Sequence, residues 1–157
     1  GLGDAGVQAK WRFHDNAAGW SMGLKPSVTL PTGRAERGMG NGRPTAAVVL
    51  VSSLEAGGWN WLVNGGYVFN GNRVGQRRHL WLASTAALYT LSERWTLAAE
   101  LTATRNAEDT GPRATKTSVV GLLWHVSQDT DLDMGWRRSV GGKPVQNTLG
   151  VGLTVRW

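Results

Sequence analysis

A chain of 157 residues, 41% of them apolar, has the length of one domain and enough apolar surface for a core or for a lipid-facing wall. Its longest apolar run, residues 46–51, falls far short of the ~18 residues of a membrane helix, so a helical membrane protein is excluded. Cysteine is absent, which removes disulfides and thiolate chemistry, and a formal net charge of +6 brings a nucleic-acid partner into question.

Residues 7–13 alternate strictly: Val7, Ala9, Trp11 and Phe13 against Gln8, Lys10 and Arg12. Asp15-Asn16-Ala17-Ala18-Gly19 is turn chemistry. In residues 20–30, Trp20, Met22, Leu24, Val28 and Leu30 oppose Ser21, Lys25, Ser27 and Thr29. Pro26 lies inside this run, removes a ladder donor and predicts a bulge or a weakly paired stretch. Residues 31–43 form a long Gly- and Arg-rich loop, expected to be mobile and able to fold inward. Residues 45–55 read as a strand with no assignable facing, because both parities are apolar.

Ala56-Gly57-Gly58 is a tight turn. In residues 59–69, Trp59, Trp61, Val63, Gly65, Tyr67 and Phe69 form an outer face, and Asn60, Leu62, Asn64 and Val68 an inner one. A polar loop at 71–78 leads to a strand of uncertain facing at 80–91 and a short turn, Ser92-Glu93-Arg94. Residues 95–104 alternate again, with Glu100, Thr102 and Thr104 inward. After a loop at 105–114 come strands at 117–126 and 131–137, joined by Gln128-Asp129-Thr130. A loop at 141–146 precedes the last strand, 148–157.

Strands of about 9–11 residues cross a bilayer when tilted, and short turns here alternate with longer loops. Seven of the tryptophans, Trp11, Trp20, Trp59, Trp61, Trp95, Trp124 and Trp157, lie near a short turn or the C-terminus. This pattern predicts an all-β, antiparallel up-and-down transmembrane β-barrel in the bacterial outer membrane, forming a single domain over 1–157. The seven tryptophans would be its aromatic girdle at the periplasmic interface. A soluble barrel or sandwich also alternates, but gives no reason to collect Trp at one set of turns. The chain reads as about nine strands, an odd number, and so as a C-terminal portion of a barrel of about 10–12 strands. On that count its first and last strands should not pair fully. The start at Gly1, with no signal peptide, fits a processed protein or a fragment.

With the C-terminus periplasmic, the long loops become extracellular. Arg34, Arg37, Arg43, Arg73, Arg77 and Arg78 then form a basic outer rim, with Arg105, Arg113, Lys116, Arg138 and Lys143 at or near it. Such a rim suits the phosphates of lipopolysaccharide, although a solvated basic surface reads equally well. No recognition helix or RNA-binding signature is present, and nucleic acid is not expected as a partner.

Four segments in order resemble the outer-membrane transporter family named for the meta-pathway of phenol degradation. They are Gly1-Leu2-Gly3-Asp4 with Lys10-Trp11-Arg12-Phe13; Leu24-Lys25-Pro26-Ser27-Val28-Thr29-Leu30-Pro31-Thr32-Gly33; Gly38-Met39-Gly40-Asn41-Gly42-Arg43; and Asp131-Leu132-Asp133-Met134-Gly135. The end, Gly150-Val151-Gly152-Leu153-Thr154-Val155-Arg156-Trp157, is similar to the terminal signal read by the outer-membrane barrel insertion machinery. The resemblance implies a longer barrel that passes small, often aromatic or hydrophobic, solutes.

Chemistry is sparse. His125-x-Ser127 resembles the His-x-Ser-Asn arrangement of an outer-membrane lipid A deacylase, but Gln128 stands in place of the Asn and no third group is evident. Asp129-x-Asp131-x-Asp133 opens like a calcium loop, yet Met134 and Val140 replace its Gly and Glu. No metal, cofactor or enzymatic activity is expected. The inner face supplies the candidate lumen residues: Lys10, Arg12, Lys25, Asn60, Asn64, Glu100, Asp131, Asp133, Arg137 and Arg156. They would either line a permeation path for small-molecule solutes or pair with one another to plug it. The expected function is a passive outer-membrane channel. A plugged structural or adhesive barrel is the first alternative, and a lipid-modifying esterase the second.

Overall fold

The alternating segments become a single antiparallel sheet. The computed structural model describes residues 1–140 and 145–157. Its strands are β1 (Ala5–Gln8), β2 (Trp11–Asp15), β3 (Trp20–Leu30), β4 (Thr45–Ala56), β5 (Trp59–Phe69), β6 (His79–Ser92), β7 (Trp95–Arg105), β8 (Ala114–His125), β9 (Thr130–Ser139) and β10 (Asn147–Val155). From β3 to β10 each strand pairs with the next in sequence, and β1 and β2 both pair with β3. One 3-10 turn, Ala35–Arg37, lies in the first long loop. The loop expected at 141–146 falls largely on residues outside the described ones, as does Lys143.

The sheet has ten strands where the sequence predicts about nine, because the first expected strand is split. Pro26 is the cause. Val7 pairs with Val28, Gln8 with Ser27, and Trp11 with Leu24, so one continuous register sets Ala9 against Pro26 and Lys10 against Lys25. The Pro26 carbonyl accepts from the Ala9 amide at 3.1 Å, but the ring leaves no N–H to complete the pair. On its other side Pro26 stays in register with Val48. A bulge between Arg12 and His14 then ends the expected alternation: His14, not Phe13, falls opposite Met22.

Residues opposite one another in a ladder share a face. One lateral row runs Trp20, Leu54, Trp61, Ala87, Ala99, Val120, Trp136, Leu149. The next row runs Ser21, Ser53, Leu62, Ala86, Glu100, Val119, Arg137, Thr148 and belongs to the opposite face. Along β5 the odd residues are exposed and the even ones half-buried. A flat sheet would expose both faces alike, so the sheet curls toward the even face, which is concave. Register also assigns the two strands whose facing the sequence leaves open. Val48, Leu50 and Leu54 of β4 and Trp81 and Tyr89 of β6 are convex; Val49, Val51, Leu80, Leu82 and Leu88 are concave.

Polarity is inverted relative to a water-soluble protein. Among the described residues no hydrophobic side chain is buried, whereas Asn70, Asn72, Thr96 and Asp131 are. The convex face carries the exposed apolar side chains, among them Leu50, Trp61, Val63, Leu101, Met134, Val151 and Leu153. No ladder joins β1 or β2 to β10, so the sheet is open at both edges, as a part of a barrel would be.

At the β4–β5 hairpin Ala56 pairs with Trp59, leaving a two-residue loop. Gly57 and Gly58 have φ of 58° and 80°, the paired positive values of a type I′ turn. Gly57→Val is expected to cost at least about 1–2 kcal/mol, the strain of a left-handed non-glycine residue. A lower urea midpoint for refolding into lipid vesicles would register it, and an unchanged midpoint would contradict this account of the turn.

Candidate functional site

Register places nine of the ten sequence-predicted lumen candidates on the concave face, and Arg156, past the last strand, is bonded to one of them, Asp131. Arg12 lies opposite Gly23, Asn60 and Asn64 face Leu88 and Ser84, and Glu100, Asp133 and Arg137 follow from their ladder partners. Lys10 and Lys25 take this face by the register continued past Pro26. Six of the ten candidates form two groups. Lys10, Arg12 and Lys25 border a cleft of ≈ 470 Å³ whose remaining wall includes Val49, Val51, Leu62 and Leu82. Polar pairs stand within it: Ser21 and Ser53 hydroxyls at 2.9 Å, and Asn64 Nδ2 donating to Ser84 Oγ at 3.0 Å. The sequence places Leu62 on this face, but leaves Val49, Val51 and Leu82 open, since they lie on the two strands that are apolar at both parities.

The second group centres on Asp131. One carboxylate oxygen meets His125 Nδ1 at 2.8 Å, and the other accepts from Arg156. His125 Nε2 in turn lies 2.9 Å from Thr96 Oγ1. Strands β7, β8 and β9 and the segment beyond β10 are thereby tied together at the short-turn end. Arg156 lies past the last strand, and its hydrogen bond to Asp131, then the charge of that carboxylate, raises its pKa above the ordinary value. The sequence reading found no third group beside His125; Asp131 is that group, six residues on and brought adjacent by the β8–β9 ladder. The hydroxyl at His125 belongs to Thr96, however, not to Ser127. Ser127 Oγ instead accepts from the Asp129 amide at 3.3 Å. Asp133 and Glu100 stand apart from this cluster, Glu100 accepting from Thr102 Oγ1 at 2.8 Å. Among the described residues no group of acidic and imidazole side chains could hold a metal ion.

Six of the seven tryptophans predicted as a girdle are convex, and five of them, Trp20, Trp59, Trp61, Trp95 and Trp124, cluster toward the short turns. Trp59 stacks on Trp61 (centroids 5.2 Å apart) and packs against Tyr89, and Trp95 stacks on its ladder partner Trp124 at 5.7 Å. Trp20 donates its indole N–H to Ser52 Oγ at 3.0 Å and packs against His14. Trp11 lies farther from the turn, beside Phe13. Trp157 lies beyond the end of β10 at Val155, two residues past the ladder that the sequence extends to it. A second aromatic group near the long loops was not anticipated. Tyr67 pairs with Trp81, Tyr67 Oη lies 2.5 Å from His79 Nδ1, and Phe69 packs edge-on against His79. Arg138 sits over Trp136, 5.9 Å from the ring centroid. The signal was available: Trp81 follows one long loop closely and Trp136 closely precedes another.

The six rim arginines all lie in long loops opposite the short turns, but not as a free fringe. Arg77 is a staple between loops, bound to Asp109 at 3.0 Å and donating to the Asn106 carbonyl at 3.1 Å. Arg43, Arg73 and Arg78 border a polar cleft with Asn72 and Gln76, and Arg34, Arg37 and Arg73 another. The first long loop is expected to be mobile; the structure instead pins it. Asp4 accepts from the Gly33 amide at 2.9 Å and the Asn41 amide at 2.8 Å, and Gly42 bridges to Asn72. A Cβ on Gly40 would collide with the Asp4 carboxylate, so this loop's glycines serve close approach as well as freedom.

Asp4→Ala should accelerate amide exchange at Gly33 and Asn41 and leave Leu54 unchanged; equal protection in both forms would show the loop is held otherwise. Asp131→Ala should lower stability, read as a lower urea midpoint, because it removes the hydrogen bonds to both His125 and Arg156. It should also expose the Arg156 amide, bonded to the Asp129 carbonyl at 2.8 Å, to faster exchange.

Compared with curated proteins, the chain matches none. Against protein families, residues 1–157 match the family described as "Putative MetA-pathway of phenol degradation".

Proposed function

The chain belongs to the MetA-pathway of phenol degradation family, and we propose that it forms the wall of an outer-membrane channel for passive passage of small organic solutes. The observation that carries this reading is the inverted polarity of the sheet. Burying a large apolar side chain contributes roughly 1.5–3 kcal/mol. Half-exposed at about two dozen convex positions, such side chains would forfeit of order 20 kcal/mol in water, more than the roughly 5–15 kcal/mol net stability of a domain. A lipid medium removes that cost, and aromatic groups at both ends of the convex face suit its two interfaces. The concave face, with apolar and polar side chains side by side, offers a path for solutes that are neither fully hydrophilic nor fully apolar.

Partners follow from the same reading: membrane lipid around the convex face, lipopolysaccharide phosphates at the arginine clefts, and the barrel insertion machinery at the C-terminal segment. Channel and plugged barrel differ in one measurement. The intact protein in planar bilayers should pass a steady current, and a bilayer that stays silent with inserted protein would favour the plug. The esterase reading draws some support from the Thr96–His125–Asp131 line. The secondary hydroxyl of Thr96 is buried, though, and Ser127 is turned to a backbone amide. Ser127→Ala and Thr96→Val are both expected to leave lipid A profiles unchanged.

For the membrane itself, brominated lipids should quench Trp59, Trp61, Trp95 and Trp124 most strongly at headgroup depth. Strongest quenching at the bilayer centre, or none, would contradict the girdle.

A further inference from the structure

Lys10 and Lys25 confront each other. The register that pairs Gln8 with Ser27 and Trp11 with Leu24 sets them directly opposite on the concave face. Like charges directly opposite in an antiparallel pair are destabilising. A lumen plugged by internal ion pairs would relieve them with carboxylates, yet among the described residues neither lysine forms an ion pair. The concave carboxylates are elsewhere. Asp131 is taken by Arg156 and His125, Asp15 by Arg12 at 2.8 Å, and Glu55 is hydrogen-bonded to Asn60. Glu100 lies on β7, four strands from β3, or roughly 19 Å along the sheet at about 4.8 Å per strand, and Asp133 lies two strands farther, on β9. The two ammonium groups therefore converge on one cleft with Arg12 beside them, and no acid of the described sheet neutralises them.

The other wall of that cleft is apolar: Val49, Val51, Leu62 and Leu82. Its ≈ 470 Å³ falls within the range of small-molecule sites. Cations on one side and aliphatic side chains on the other suit a ligand with one anionic end and one apolar end. We propose that Lys10 and Lys25 form a subsite for small organic anions, typified by an aromatic carboxylate, and that it biases the channel toward them. The carboxylate lies between the two ammonium groups, relieving their repulsion through charge-assisted hydrogen bonds, and the ring lies on the Val51–Leu62 wall. Inorganic anions satisfy the lysines but not the apolar wall, and neutral aromatics the reverse. This rests on the channel reading and narrows it to a solute class.

The test is flux into liposomes carrying the intact protein, counted as the excess over protein-free liposomes, with three probes of one size, benzoate, benzyl alcohol and benzylammonium, and with chloride as the inorganic anion. Benzoate is expected to pass fastest. Lys10→Gln with Lys25→Gln should slow benzoate by about tenfold, the scale of a lost charge-assisted hydrogen bond, and leave benzyl alcohol unchanged. The single variants, each with unaltered heat-modifiable gel mobility, should fall between and guard against misfolding of the double variant. Lys10→Glu with Lys25→Glu should move the preference to benzylammonium. Equal benzoate and benzyl alcohol flux, insensitive to the lysines, would overturn the subsite and leave the channel standing. A lysine effect on chloride but not on benzoate would overturn the organic-anion assignment. No flux of any probe would overturn both readings.

Discussion

Every feature of this protein hangs from one unbroken antiparallel ladder. From β3 to β10 each strand meets its neighbours in sequence through nearly every residue, with one two-for-one step between Thr90 and Ser92. Backbone amides and carbonyls are thus satisfied within the sheet, which an apolar medium demands of any wall standing in it. The ladder also fixes the faces, because its period of two sends each successive side chain to opposite sides. A slip of one residue would carry Glu100 and Arg137 to the face of Trp61 and Leu101, and so set charge among the exposed apolar side chains.

Local departures from the ladder have local chemical causes. Pro26 interrupts the outermost pairing where its missing N–H falls, and not on the side of β4. Both edges of the open sheet expose unpaired backbone groups, as the edges of a part of a barrel do. At the long-loop end order comes from polar groups. Asp4 and Arg77 gather amides and carbonyls of neighbouring loops, while Asn70 and Asn72, among the few buried residues, gather those of their own loop. Carboxamides can donate and accept at once, which suits them to a junction where several backbone segments end without a ladder.

The concave face is a graded surface, not a uniform polar lining. Lys10 and Lys25, without an ion pair among the described residues, stand at the β3 edge, aliphatic residues across β4 to β6, and a satisfied Asp131 cluster at β8 and β9. The contrast between its two ends is physical. Asp131 is buried with three strands and the terminal segment converging on it, an arrangement that holds structure together. Lys10 and Lys25 fall opposite each other in the gap between β1 and β2 and border one cleft.

The sequence by itself determined the strands from β3 to β10, the alternation of short and long connections, and the faces of strands such as β5 and β7 whose two parities differ in polarity. Trp59 to Phe69 needed only its own period, because Asn60 and Asn64 cannot share a side with Trp61 and Val63. It also determined that Pro26 would disturb pairing and that the ends of this sheet would not meet. Tertiary structure alone decided the facing of Thr45–Ala56 and His79–Ser92, since two apolar parities carry no internal signal and only the partners' register orients them. It alone brought His125 to Asp131, set Lys10 against Lys25, and turned a glycine-rich loop into one held by Asp4. Each of these is a contact between residues on different strands or loops. Such contacts are fixed by register and by hydrogen bonds across the chain, and a local pattern of polarity does not contain them.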